Sequence, residues 1–299
     1  MSAINEGAVA VVTGAAGGIG LALATEAVQR GMSVAISDIR EGELDAAAKQ
    51  LSAIGGDVLA MRSDVTKEAD INALADAAVQ RFGKVNMLVN NAGAFVGGLA
   101  WETNAAQMDW IIDLNFKSVA HGIRAFVPRM IDQGDPCHVI TIASAAGFSV
   151  YPGYASYSAT KHAALALTEA LYLDLMAEGI DNIGTTVVMP GMIQTQIMEP
   201  EKASPDALGL DRDTRHANET VRRVEEVMTS SLVRAMPPEE LARKVFDAIE
   251  AGELYVLPNH DSDALKALGQ AIGAGRASGV NSLPEIMAQS RMGITKVPT

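Results

Sequence analysis

The chain is predicted to form one α/β unit built on a doubly wound parallel sheet of about seven strands with helices on both faces. Three observations lead there. Short β-branched runs alternate with amphipathic segments of helical period, the pattern of βαβ units. A glycine cluster stands where the first such run gives way to a helical segment. The 299 residues, 48% hydrophobic and 20% charged, suffice for one large core and lie far from the composition of disordered chains.

The elements follow in order. The first strand, Ala8–Thr13, ends at the glycines, and a helix runs from about Gly18 to Arg30. Ser33–Asp38 is the second strand, with a helix at Glu41–Ala53, and Val58–Ser63 the third, with a helix at Lys67–Phe82. Val85–Asn90 leads into one long helix, Ala105–Asp132, and His138–Ser144 into another, Ser156–Glu178. After the strand Gly184–Met189, a helix at Pro238–Ala251 and a short strand at Leu254–Leu257 complete the sheet. Residues 190–237 are too many for a plain connection, and their charge-mixed middle, Asp211 to Glu226, has helical character. They read as a substrate loop or lid inserted within a catalytic domain spanning 1–260. Residues 261–299 form a C-terminal extension with weak helical patterning around Ala264–Ile272.

The net charge of −13 repels nucleic acid and anionic membrane surfaces, which leaves a small molecule as the expected partner. One cysteine, Cys137, permits neither an intrachain disulfide nor a cysteine metal cluster, so a cytoplasmic enzyme without a metal is expected. The most membrane-like stretch, Ala8–Ala24, is rich in Gly and Ala and is preceded by Glu6 with no Lys or Arg. It reads as strand, turn and helix, and neither as a signal peptide nor as a span.

Thr13-Gly14-Ala15-Ala16-Gly17-Gly18-Ile19-Gly20 follows the first strand. Glycines let such a turn bend sharply and approach a pyrophosphate, while the helix N-terminus offers unpaired N–H groups. The cofactor-binding candidates here are Gly14, Gly18, Ile19 and Gly20. Asp38, eighteen residues past Gly20, sits near the offset at which a carboxylate meets the adenosine ribose. It would accept hydrogen bonds from both ribose hydroxyls of NAD and repel the extra phosphate of NADP, so NAD is favoured. Arg40 is the counter-indication, since a guanidinium could receive that phosphate, although a solvated residue ahead of a helix serves as well.

Tyr157 and Lys161 are four residues apart at the start of a helix, which stacks both side chains on one face. An ammonium beside a phenol favours the phenolate and lowers a pKa of about 10 toward working pH, where Tyr can both accept and donate a proton. The pair follows, in order, the glycine turn, Asp38, Asn90-Asn91-Ala92-Gly93 and Ser144. With Asp64-Val65, Asn115, Pro190-Gly191 and Thr195, these residues make the chain resemble the short-chain dehydrogenase/reductase family between residues 13 and 195.

The resemblance implies a Rossmann-type sheet and exchange of a nicotinamide hydride with a carbinol or carbonyl carbon. It implies that Tyr157 is the general acid/base and that Lys161 lowers its pKa and holds the nicotinamide ribose. Ser144 would orient the substrate oxygen, and Asn115 would anchor a water that passes protons from Lys161 toward solvent. Asp64 and Val65 would meet the adenine, Asn91, Ala92 and Gly93 would buttress the cofactor, and Pro190, Gly191 and Thr195 would line its pyrophosphate and carboxamide. It also implies a homodimer or homotetramer, in keeping with a run from His162 to Leu175 that is apolar on more than one face. Each residue has a plainer role open to it: Asp64 can cap a helix, Asn115 can be a polar mid-helix residue and Ser144 a turn residue.

Phe95, Ala146, Phe148, Tyr151, Tyr154, Met192 and Ile197 flank the catalytic positions and are expected to line the substrate pocket. No Lys or Arg stands among them, which favours a neutral, fairly hydrophobic secondary alcohol or ketone. An NAD-binding sensor or structural protein without catalysis would share the glycine turn and Asp38 yet have no use for Tyr157, Lys161, Ser144 and Asn115 together. A reductase or epimerase acting on another substrate class is the other alternative.

Overall fold

A computed structural model describes residues 3–205, 208–210, 218–258, 262–281 and 283. The strands are β1 (Val9–Thr13), β2 (Ser33–Asp38), β3 (Val58–Arg62), β4 (Met87–Asn90), β5 (Cys137–Ile142), β6 (Ile183–Val188) and β7 (Tyr255–Val256). They form one seven-stranded sheet in the order β3-β2-β1-β4-β5-β6-β7, and every pairing is parallel. β1, β4 and β5 are buried along their whole length, as expected of parallel strands covered on both faces.

Side chains on these strands alternate between two cores, because successive residues of a strand point to opposite faces. Ala10, Val12, Val34, Ile36, Met87, Val89 and Ile140 enter one core, which also holds Leu23 and Val28 of α1 (Gly18–Gln29) and Leu44 of α2 (Glu41–Ala53). Val11, Ala35, Leu88 and Val139 enter the other, with Ile71 and Leu74 of α3 (Glu68–Phe82). The connection after β4 consists of α4 (Ala105–Ile112), a π-helical turn over Asp113–Lys117 and α5 (Ser118–Gln133). The sequence suggests one uninterrupted helix there. The π turn inserts one extra residue per hydrogen-bonded ring and thereby rotates Asn115 inward, where it is 1% exposed.

α6 (Ala155–Ala177) follows β5 and adds Leu171 and Leu175 to the second core. After β6 come α7 (Glu219–Leu232), α8 (Pro238–Glu250) and β7. α8 lays Leu241, Val245 and Phe246 on the first core. α7 begins within the region read as helical at Asp211–Glu226 and continues past it to Leu232; residues 211–217 fall outside the described residues. The tail forms α9 (Ser262–Ser278), with Ile272 buried and Gly269 against the ring of Phe148. The rest of the extension beyond 283 also lies outside the described residues.

His138 is buried in β5, with Nε2 2.8 Å from the Thr186 hydroxyl, and burial lowers its pKa from 6.5 to about 4. Below pH 6.5 the unfolded chain therefore binds a proton that the folded chain refuses, and stability is lost as pH falls from 6.5 toward 4. Replacing His138 with Gln should flatten this acid limb by about 3 kcal/mol, measured as urea unfolding midpoints across that range. Phe246→Ala, at a fully buried position, should lower stability by about 3–5 kcal/mol in the same assay.

Candidate active site

Strand order reverses between β1 and β4, and in open α/β sheets a ligand crevice forms beyond the carboxyl ends of strands at such a point. A cavity of about 990 Å³ opens there. The chain supporting it is tightly knit. The Thr13 hydroxyl donates to Val89 O (3.2 Å) and accepts from the N–H groups of Asn91 (3.1 Å) and Ala92 (3.3 Å). The Asn91 side-chain amide donates to the carbonyls of Thr13 (2.8 Å) and Gly14 (3.0 Å). A Cβ on Gly20 would come within 2.4 Å of Gly14 O and 2.5 Å of Asn91 Nδ2, so the helix approaches the turn only because Gly20 has no side chain. Gly20 thus serves packing and does not line the cavity, whereas Gly14, Gly18 and Ile19 do.

These residues suit a dinucleotide. α1 starts with neither an acidic residue in its first turn nor a side-chain cap, leaving its first N–H groups free for an anion. Thr195 faces the turn, its Cγ2 about 3.1 Å from where a Gly18 Cβ would stand. Asp38 is held at the end of β2 by N–H groups of Ala16 (3.1 Å) and Arg40 (3.0 Å). Arg40 also forks onto that carboxylate through Nε (3.1 Å) and Nη2 (3.2 Å) and reaches Gln196 Oε1 (3.3 Å). The open, solvated Arg40 of the sequence reading is therefore replaced by a paired one. Asp64 lines the cavity and closes its own turn, accepting from the Thr66 N–H (3.0 Å) and hydroxyl (2.7 Å). Val65, Asn91, Ala92, Gly93, Pro190 and Gly191 line it too.

Tyr157 and Lys161 both lie on the buried face of α6, at 8% and 4% exposure. Burial pushes the Tyr157 phenol up, and a hydrogen bond with Ser144 opposes that rise. The Lys161 ammonium donates to Ile142 O at 2.8 Å and stands 5.8 Å from the centre of the tyrosine ring, and burial lowers its pKa to about 8. The four-residue spacing thus brings the ammonium to the tyrosine ring, as anticipated, and Ser144 opposes the rise of the phenol. Asn115 sits behind the cavity wall. Its Oδ1 accepts from the Ala94 N–H (3.0 Å) and its Nδ2 donates to Ala94 O (3.0 Å) and Thr160 Oγ1 (3.2 Å). Gly93 lies beside both Asn115 and Lys161, as a Cβ there would meet Asn115 Oδ1 at 3.0 Å and Lys161 Nζ at 3.4 Å.

Of the expected substrate-pocket residues, Phe95, Ala146, Tyr151, Tyr154, Met192 and Ile197 line the cavity. Phe148 does not: it packs against the cluster of Ala143, Val187 and Met189 and against Gly269 of α9, because the short 3-10 turn Ala145–Gly147 ends before it and turns it away. The sequence reading missed Met228, Val227 and Arg234 on the far wall. Met228 had a detectable signal, since Val221, Val224 and Met228 form a helical stripe that is buried, and Met228 packs in one cluster with Tyr154 and Tyr157. Arg234 had none.

A seven-stranded parallel sheet with a dinucleotide-fitting crevice at its switch point defines a nucleotide-dependent α/β enzyme. The short chain dehydrogenase family model matches residues 8–206, and the chain belongs to that family of oxidoreductases, acting on hydroxyl groups with a nicotinamide cofactor. It is 35% identical to a 1-deoxy-11-beta-hydroxypentalenate dehydrogenase of Streptomyces avermitilis, with 85% of each chain covered. It is 32% identical to a CLA biosynthesis dehydrogenase/reductase of Lactiplantibacillus plantarum, over 85% of this chain and 88% of that one. Its fold matches a short chain dehydrogenase/reductase from Burkholderia phymatum in complex with NAD, with a TM-score of 0.87, 33% identity and coverage of 94% and 98%. Among the described residues no helix is long and apolar enough to cross a membrane.

Asn115→Ala should leave both backbone polar groups of Ala94 buried without partners and cost about 2–4 kcal/mol. Asn115→Asp, which can still accept from the N–H, should recover part of that loss in thermal denaturation.

Proposed function

We propose that the chain is an NAD(H)-dependent dehydrogenase that interconverts a secondary alcohol of fairly hydrophobic body with its ketone, Tyr157 acting as general acid/base. The observation that carries this is the buried Tyr157 phenol, hydrogen-bonded to Ser144 at the floor of the cavity that the glycine turn and Asp38 also line. When bound, the nicotinamide supplies the hydride acceptor in oxidation and the donor in reduction. In oxidation the Tyr157 phenolate takes the hydroxyl proton of the substrate, and in reduction the phenol returns a proton to the carbonyl oxygen. Ser144 holds that oxygen in line, with its own hydroxyl oxygen steadied by the Ala146 N–H at 3.1 Å. Lys161, charged below pH about 8, steadies the phenolate and holds the nicotinamide ribose. Asn115 keeps the Ala94 backbone and the neighbouring Gly93 in place under that lysine. Phe95, Tyr154 and Met228 exclude water around the reacting carbon.

Asp38 receives the adenosine ribose once Arg40 turns aside, and Asp64 and Val65 border the adenine. Residues 190–237 serve as the lid, whose α7 closes over Tyr154. The protein works as a homodimer or homotetramer, since α6 leaves Leu173 (58%) and Met176 (61%) exposed opposite the face it buries.

Tyr157→Phe should retain NAD binding, measured by calorimetry, and lower turnover of secondary alcohols by at least about 10²–10⁴-fold. Full activity in that variant would refute the assignment. Because burial raises the phenol and oxidation needs the phenolate, oxidation should quicken with rising pH and ketone reduction should slow. Asp38→Ala should weaken NAD more than NADP, read as the ratio of their kcat/KM values.

A further inference from the structure

We propose that Arg234 is a specificity-determining residue that binds an acidic group, a carboxylate, at the end of the substrate remote from the reacting carbon. The proposal rests on the reading of this cavity as the alcohol site. Arg234 stands just past the last turn of α7 and lines the cavity. Its backbone is fixed to the loop that borders the same space. The Arg234 N–H donates to Ser231 O (3.2 Å), the Met236 N–H to Met192 O (3.3 Å), the Gln194 N–H to Met236 O (3.0 Å) and Gln194 Nε2 to Ala235 O (3.0 Å).

Other charges along this wall are already engaged. Arg40 holds Asp38, Lys202 pairs with Glu199, and Lys161 gives its ammonium to Ile142 O. Lys67 lies beside Asp64, at the nucleotide end of the cavity. Among the described residues, Arg234 has no acidic partner. It is an exposed residue whose guanidinium carries five donors, in a protein of net charge −13.

Apolar side chains of α7 share the cavity with Arg234 and Tyr157. Val227 and Met228 line it, and Met228 packs with Tyr154 and Tyr157. Arg234 follows Met228 by six residues, beyond the end of α7, so the helix that touches the catalytic tyrosine through Met228 also brings the guanidinium into the same cavity. A ligand whose carbinol lies at Tyr157 and whose acid reaches Arg234 would cover Val227 and Met228 and meet a fork suited to two parallel N–H···O bonds. The uncharged substrate expected from sequence is revised accordingly: the residues flanking the catalytic positions carry no cation, and folding brings one from the far end of the lid.

The test is calorimetric titration of the NADH-loaded protein, in which an alcohol does not react, with octanoate and with 1-octanol. In the unaltered chain octanoate should bind at least about tenfold tighter than the alcohol. Arg234→Ala should bring the ratio near one, and Arg234→Lys should retain part of it. A ratio near one in the unaltered chain, or a preference that survives Arg234→Ala, overturns the proposal. So does an Arg234→Ala variant that loses NADH affinity with the ratio intact, which would assign the guanidinium to the cofactor diphosphate. If the ratio behaves as expected while no secondary alcohol is oxidised, the acid site stands and the dehydrogenase reading fails.

Discussion

Across the gap between β1 and β4, the side-chain amide of Asn91 ties the carbonyls of Thr13 and Gly14 to the start of the loop that carries Ala92 and Gly93. The Thr13 hydroxyl closes the same gap from the other side. This short lattice sets how far apart the two strand ends stand, and the rest of the site is measured from it. It leaves room for α1 only because Gly20 meets it without a side chain. The helix N-terminus therefore points into the crevice with its amides free, which is the physical requirement for receiving a pyrophosphate. A looser junction would carry α1, the loop after β4 and the cavity wall away from one another together.

The catalytic groups are governed by a different force, the cost of burying charge. Tyr157 and Lys161 are nearly inaccessible, and burial moves both toward their neutral forms, the phenol upward and the ammonium down to about 8. A hydrogen bond with Ser144 counters this in part at the phenol, and the Lys161 ammonium keeps Ile142 O as its partner. A site poised in this way responds strongly to any charge brought into it, which is how a bound cofactor and substrate can tune proton transfer without a rearrangement of the chain.

The glycine turn, Asp38, Ser144 and the Tyr157–Lys161 pair were legible because each depends on local geometry. A turn needs glycine at given positions, and a four-residue spacing puts two side chains on one helical face whatever the surroundings. Asn115 was legible as a residue and not as a shape, since a π turn has no spacing pattern to distinguish it from the helix in which it sits. Phe148 was misplaced for a related reason. Adjacency to Ser144 says how near a side chain starts, and the turn that follows decides where it points.

Sequence by itself determined the fold class, the strand order and the resemblance to the short-chain dehydrogenase family, because periodicity and turn chemistry are properties of neighbouring residues. Tertiary structure alone decided the pairing of Arg40 with Asp38, the packing role of Gly20, the direction in which Tyr157 and Lys161 are shifted, and the arrival of Met228 and Arg234 in the same cavity. These depend on contacts between segments far apart in the chain and on exclusion of water. Neither is encoded in any single window of residues.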